Sequence, residues 1–255
     1  MQVRAKKRLG QHFLKDENIA EKIANTLERT TTIALEIGPG MGSLTKYLLK
    51  LWGKNLWVSE VDSESVQYLN IYIPELRPNI IQGDFLQLDF DTLFGKEKIS
   101  LIGNFPYNIS SQILFKALDN RDKVVQVVGM FQKEVAKRIC SPPGNKDYGI
   151  LSVLVQAYYE AEYLFDVPPA SFDPPPAVNS GVIRLERKPQ TSIGCDDVLF
   201  KKVIKMAFNQ RRKKLSNALS GMLEGRKMRE DIGHKRAEQL GWEHFVELTN
   251  FIGQV

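Results

Sequence analysis

The chain has 255 residues, 43% of them hydrophobic, with 35 Lys and Arg, 30 Asp and Glu and two Cys. That apolar share over that length supports a packed core and excludes a disordered, collagen-like or disulfide-scaffolded chain. No apolar run approaches the roughly 20 residues of a membrane span, and Cys140 and Cys195 make neither a disulfide framework nor a spaced metal cluster.

The N-terminal stretch 1–15 carries Arg4, Lys6, Lys7, Arg8 and Lys15 with no acid, and no apolar segment follows that would make it a secretory signal. A soluble cytoplasmic protein is expected. A second acid-free stretch, 198–223, holds Lys201, Lys202, Lys205, Arg211, Arg212, Lys213 and Lys214. Together these segments hold 12 basic residues, while the other 214 positions hold 23 basic against 30 acidic. The net charge of +5 therefore describes an acidic body with two cationic patches, which suits a polyanion touching two places.

From residue 32 onward short apolar runs alternate with helical patterns. Residues 32–37, 56–61, 79–82, 99–103 and 124–130 read as strands, and 44–51, 63–71 and 110–118 as helices. That alternation predicts a parallel sheet flanked by helices. The first strand ends in Glu36-Ile37-Gly38-Pro39-Gly40-Met41-Gly42, a glycine turn feeding a helix. The dinucleotide fingerprint wants a glycine where Ser43 stands, and the G-x-G-x-G form suits S-adenosylmethionine (SAM), which has no pyrophosphate to aim at a helix N-terminus. Glu60 closes the second strand, 24 residues after Glu36, where an acid accepts from both ribose hydroxyls. Asp84 follows the third strand, placed to accept from the adenine amine of the cofactor, and Asn104 follows the fourth.

Asn104-Phe105-Pro106-Tyr107 at that strand end has a mechanical reading. The N6 amine of adenine is a poor nucleophile because its lone pair is delocalised into the ring. The Asn104 side-chain oxygen and the Pro106 carbonyl would accept its two N–H groups, and Tyr107 would stack on the base. Further on, 150–158 reads as a helix, Tyr163 to Val167 and 180–186 as strands of a closing antiparallel hairpin, and 167–178 as a Pro-rich loop between them. The polar segment 188–197 reads as a linker, so the expected domains are 1–190, a sheet, and 191–255, an all-helical module. Residues 211–214 are expected at a helix start. No heptad seam is visible, so a monomer is expected, and His234 and His244 lack ligand spacing, so no metal is expected.

These motifs, with Lys6 to Asn18 (KKRLGQHFLKDEN), Gln132 to Arg138 (QKEVAKR), Phe172 to Ser180 (FDPPPAVNS) and Ala207 to Asn217 (AFNQRRKKLSN), resemble the KsgA/RsmA family of rRNA adenine N6,N6-dimethyltransferases across nearly the whole chain. The resemblance implies a Rossmann-like class I SAM-dependent methyltransferase sheet, mostly parallel with an antiparallel last strand, and a small helical C-terminal domain. It implies dimethylation of two adjacent adenosines in the 3′-terminal hairpin of small-subunit (16S) rRNA, within a pre-30S particle. It adds His12 and Leu14 to Glu36, Gly38, Gly40, Gly42, Glu60, Asp84 and Asn104 around SAM, although many relatives carry Asn where this chain has His12. It sets Phe172 opposite Tyr107 as a second wall of the target-base pocket, and gives Arg4, Lys6, Lys7, Arg8, Arg211, Arg212, Lys213 and Lys214 to RNA phosphates. The competing readings are a macrolide-resistance-type methyltransferase of large-subunit rRNA, a DNA adenine methyltransferase, and a ribosome-assembly factor whose catalysis is secondary.

Overall fold

The structure is a computed structural model that describes residues 3–190 and 192–254. The apolar runs become strands where expected: β2 (Ile33–Ile37), β3 (Leu56–Glu60), β4 (Ile80–Gln82), β5 (Ile99–Asn104), β6 (Val124–Gln132), β7 (Tyr159–Val167) and β9 (Ser180–Arg187). Two-residue β1 (Phe13–Leu14) and β8 (Phe172–Asp173) pair with each other, antiparallel. Among the described residues the main sheet is ordered β4-β3-β2-β5-β6-β9-β7. Strands β2 to β6 run parallel, with Leu35 facing Trp57 on one side and Leu101 on the other. Strand β9 enters antiparallel to β6.

The helices are α1 (Glu17–Ala24), α2 (Thr45–Trp52), α3 (Ser63–Tyr72), α4 (Phe90–Phe94), α5 (Ser110–Asp119), α6 (Lys133–Cys140) and α7 (Ile150–Tyr158), then α8 (Asp197–Asn209), α9 (Leu215–Ala218), α10 (Ser220–Leu223), α11 (Glu230–Gly233) and α12 (Trp242–Gly253). Helix α2 buries Leu48 and Trp52 on one stripe, continuing the line of buried Leu44, and α5 buries Ile113, Leu114, Ala117 and Leu118. Helices α1 and α3 start on aspartates: Asp16 accepts from Ile19 N and Asp62 from Glu64 N. The chain turns back at β2, with β3 and β4 on one side and β5 and β6 on the other. Open sheets of this kind bind ligands at the strand C-termini beside that switch point.

The chain forms two compact units, one of residues 3–136 with 161–187 and one of 137–160 with 188–190 and 192–254. The linker expected near 190 lies beside the boundary at Arg187/Lys188, and α7 groups with the C-terminal helices. It does so because α7, which buries Leu151, Leu154, Val155 and Tyr158, packs on α8 and α12, and Tyr158 Oη donates to Asp197 Oδ1 at 2.6 Å. Tyr148, Phe208 and Phe245 form an aromatic row inside this unit, with centroids 6.3 and 6.0 Å apart. The expected helix start at 211–214 is instead the turn between α8 and α9, closed by Arg211 N to Phe208 O and Lys213 N to Gln210 O. Four consecutive cations on one helical turn would repel one another; the turn ends α8 before them and leaves Arg212, Lys213 and Lys214 in solvent.

Candidate active site

A cleft opens at the C-terminal ends of β2, β3, β4 and β5, lined by His12, Gly38, Gly40, Glu60, Asp84, Asn104, Pro106 and Tyr107 of the expected residues. The glycine turn shapes its floor. Gly40 has φ +56°, and a Cβ there would sit 2.9 Å from the Phe13 ring, so only glycine admits both the turn and the wall above it. Gly42, with φ +82°, does not line the cleft: a Cβ there would meet Ile73 Cδ1 at 2.5 Å, so it serves the packing of the turn beside α3.

Glu60 is 4% exposed, and each carboxylate oxygen accepts a backbone N–H, Oε2 from Gly40 at 3.0 Å and Oε1 from Asp62 at 2.9 Å. Burial raises its pKa, and those backbone donors work against the rise. Glu36 is placed differently from expectation. It is 1% exposed and does not line the cleft, its Oε2 has no hydrogen-bond partner, and its carboxyl is pushed up to about 8. Burial is the main cause, Glu60 adds to it, and the Thr45 hydroxyl opposes it. Asp84 is exposed at the cleft edge, where Oδ1 accepts from Leu86 N at 2.9 Å and caps the short turn Phe85–Gln87.

The tetrapeptide is anchored by Phe105, 1% exposed and edge-on to Phe131 with centroids 5.2 Å apart. Asn104 Nδ2 donates to the His12 carbonyl at 2.7 Å, so its Oδ1 is the acceptor left to a ligand. The Pro106 carbonyl already accepts Ile109 N at 3.1 Å with one of its lone pairs. The Tyr107 hydroxyl and Ser180 Oγ are 2.5 Å apart, and the phenol pKa is raised by burial against the opposing Ser180 bond. The His12 ring lies 5.6 Å from that of Tyr107 and donates from Nδ1 to the Pro174 carbonyl at 2.8 Å.

Two expectations are corrected here. Phe172 is 1% exposed in the apolar core, pairs with Leu14 across β8 and β1, and does not line the cleft. Leu14, 4% exposed, belongs to the same core, and its neighbour Phe13 lines the cleft in its place. Strand alternation explains both: β1 turns one side chain to the cleft and the next inward. Sequence reading also missed Val61 and Phe85 as lining residues. The signal was present, since each directly follows an expected acid or lies next to it.

Of the cations assigned to RNA, Arg4, Lys7, Arg8, Arg212, Lys213 and Lys214 are exposed, with Lys214 Nζ 3.2 Å from His234 Nδ1. Lys6 instead pairs with Asp62 and Glu64. Arg211 donates to the Lys146 carbonyl at 2.5 Å and lies 3.4 Å from Glu238, so it ties its own unit together. Among the described residues no cluster could hold a metal, and no helix is long and apolar enough to cross a membrane.

The strand order, with one antiparallel strand placed second from the edge, and a glycine turn and acid at successive strand ends define a Rossmann-like methyltransferase of class I. Solved structures share that fold: a dimethyladenosine transferase from Plasmodium falciparum (TM-score 0.76, 25% identity, 93% of this chain and 96% of the other) and the 23S rRNA methyltransferase ErmE (TM-score 0.69, 23% identity, 95% and 100%). The chain belongs to the ribosomal RNA adenine dimethylase family, whose profile matches residues 2–252. Similar proteins named ribosomal RNA small subunit methyltransferase A include those of Cytophaga hutchinsonii, 51% identical over 98% of both chains, and Porphyromonas gingivalis, 52% identical over 100% of both.

Proposed function

We propose that this protein transfers methyl groups from SAM to the N6 amines of two adjacent adenosines in the 3′-terminal hairpin of small-subunit rRNA, giving N6,N6-dimethyladenosine. We assign its action to the cytoplasm, as a monomer on a pre-30S particle. The observation that carries the reading is the Asn104 carboxamide, its nitrogen held by the His12 carbonyl and its oxygen left as acceptor beside Glu60, Asp84 and the glycine turn.

The residues present suit the cofactor. Each Glu60 oxygen has spent one lone pair on a backbone N–H and keeps another for a ribose hydroxyl. Gly38 and Gly40 leave the floor open, Val61 and Phe85 offer apolar sides to a purine, and Asp84 presents its second oxygen to an exocyclic amine. When bound, SAM supplies an electrophilic methyl on a sulfonium. The chain's own part is to make a weak nucleophile react. Asn104 Oδ1 and the free lone pair of the Pro106 carbonyl accept the two N6 hydrogens, which favours a tetrahedral nitrogen and stabilises the positive charge it gains. The surplus proton leaves to water, so no strong base is needed. Tyr107, held by Ser180, stacks on the base after it leaves its own stack, a contact worth roughly 1 to 3 kcal/mol. For the second transfer one hydrogen is already a methyl, and a single acceptor suffices to orient the amine.

Incubation with labelled SAM and unmodified small subunits, free rRNA, large subunits or DNA tests the reading. Label in adenosines of the small-subunit 3′-terminal hairpin is expected. Label in large subunits alone would replace this reading with the large-subunit one, and cofactor binding without transfer would favour an assembly factor.

A further inference from the structure

The wall of the cleft formed by residues 9–13 belongs to no strand of the main sheet. Besides the pairing of β1 with β8 and the contact of His12 Nδ1 with the Pro174 carbonyl, two sets of side-chain contacts hold it. At the end of β5, Asn104 Nδ2 holds the His12 carbonyl. Just beyond β3, Lys6 pairs with Asp62 and lies 3.1 Å from Glu64, while Gln11 Nε2 reaches Asp62 Oδ2 at 3.3 Å. Gln11 Oε1 in turn accepts the Lys6 backbone N–H at 2.8 Å, which binds the two ends of the loop 6–11 to one carboxylate. In the sheet β2 lies between β3 and β5, so residues 6–12 pass over the glycine turn that follows β2.

Asp62 is more than an anchor for a surface lysine. Its side chain is 2% exposed, and it caps α3 through Glu64 N and Ser65 Oγ. Its backbone N–H donates to Glu60 Oε1, so the residue that ties down the strap also orients the carboxylate that faces the cleft. Burial pushes the Asp62 carboxyl up, and Lys6 and Gln11 more than offset this, leaving it below the usual range. Without Lys6, a buried carboxylate would stand unneutralised two residues from a second buried acid, Glu60. The strap would then lose its only cation–carboxylate tie among the described residues at that end.

We propose that Lys6, with Asp62 and Glu64, is a clasp that holds residues 6–13 closed over the cofactor, making Lys6 a positioning residue for cofactor retention and not a ligand of RNA phosphate. The inference rests on the cofactor reading above. It accounts for a cation in an acid-free segment that is nonetheless occupied by acids 56 and 58 positions away. Its neighbours Arg4, Lys7 and Arg8 stay exposed for other partners.

The test measures binding of SAM and of its demethylated product to the full chain by calorimetry, with release rates by stopped flow, for wild type, Lys6→Met, Lys6→Arg and Glu64→Gln. Lys6→Met is expected to weaken binding roughly tenfold, mainly through faster release, as for loss of a partly buried ion pair. Lys6→Arg should restore most of the loss, and Glu64→Gln, at the more exposed partner, should cost about twofold. In turnover, KM for SAM should rise in Lys6→Met while kcat and KM for the small subunit stay within about twofold. Trypsin should cut after Lys7 and Arg8 faster in Lys6→Met, with SAM protecting wild type. Unchanged cofactor release in Lys6→Met would overturn the clasp, as would a rise in KM for the small subunit alone. A wild-type chain binding neither nucleoside would overturn the cofactor reading itself.

Discussion

Glu36 and Glu60 come from similar strand-end sequence and do opposite things. Glu36 lies behind the cleft with its carboxyl raised to about 8 by burial, so near neutral pH it largely keeps its proton. With Glu36 neutral, its charge does not add to that of the buried Asp62 carboxylate, which already raises Glu60. Sequence spacing identified both as strand-end acids and did not distinguish them, because whether a side chain points into a cleft or behind it depends on the twist of the turn. The same ambiguity moved Leu14 and Phe172 into the core. A stability consequence follows. Between the unfolded value of 4.5 and the folded value of about 8, the unfolded chain has released a proton that the folded chain keeps. Folding stability contributed by Glu36 is therefore full below about pH 4.5 and falls by up to about 1.4 kcal/mol per pH unit as pH rises toward 8. Glu36→Gln, which carries no proton to lose, should flatten the decline of the urea midpoint between pH 5 and 8 and be the more stable chain at pH 9. Parallel slopes in the two proteins would show that Glu36 is ionised in the fold.

At the scale of elements, strands buried on both faces were legible because an apolar run such as 127–131 of β6 has no polar face to conceal it. Shorter pieces were not. Helix α4 has five residues, α9 to α11 four each, and β1 and β8 two each, too short for the pattern to repeat and so reveal them. Their positions follow from tertiary partners, as β1 follows from β8. The glycine turn was legible as a motif, but its separate duties were not, since Gly40 meets Phe13 and Gly42 meets Ile73 only in the folded chain. Gly40→Ala is expected to lose about 1 to 2 kcal/mol from left-handed strain and, by displacing the Phe13 wall, to weaken SAM binding about tenfold or more. Gly53→Ala supplies the control. Its φ is +54° but nothing lies within 4 Å of the added carbon, so stability should fall while SAM affinity holds. Equal SAM affinity in both variants, measured by calorimetry, would mean that Phe13 moves aside freely.

For the whole molecule, charge placement was visible in the sequence and charge availability was not. Lys6 finds its acids 56 and 58 positions along the chain, and Arg211 finds a carbonyl 65 positions back, separations at which no local pattern exists. The structure thus divides the cationic patches into internal ties and free charge. Arg211 holds the C-terminal unit to its own 146 and 238 positions, while Arg212 and Lys213 stand exposed. This division makes neighbouring arginines behave differently. Arg212→Ala with Lys213→Ala should weaken small-subunit rRNA binding and reduce the slope of log affinity against log salt by roughly 1 to 2, as expected for two lost phosphate contacts, while the melting temperature and SAM affinity hold. Arg211→Ala should lower the melting temperature, since it leaves the Lys146 carbonyl without its donor and Glu238 without the cation 3.4 Å away, and should change the salt slope less. Filter binding across a salt series, paired with thermal melts, separates the two effects. A salt slope unchanged by the double substitution would remove this turn from the RNA-facing surface and leave Arg4, Lys7 and Arg8 to account for the affinity.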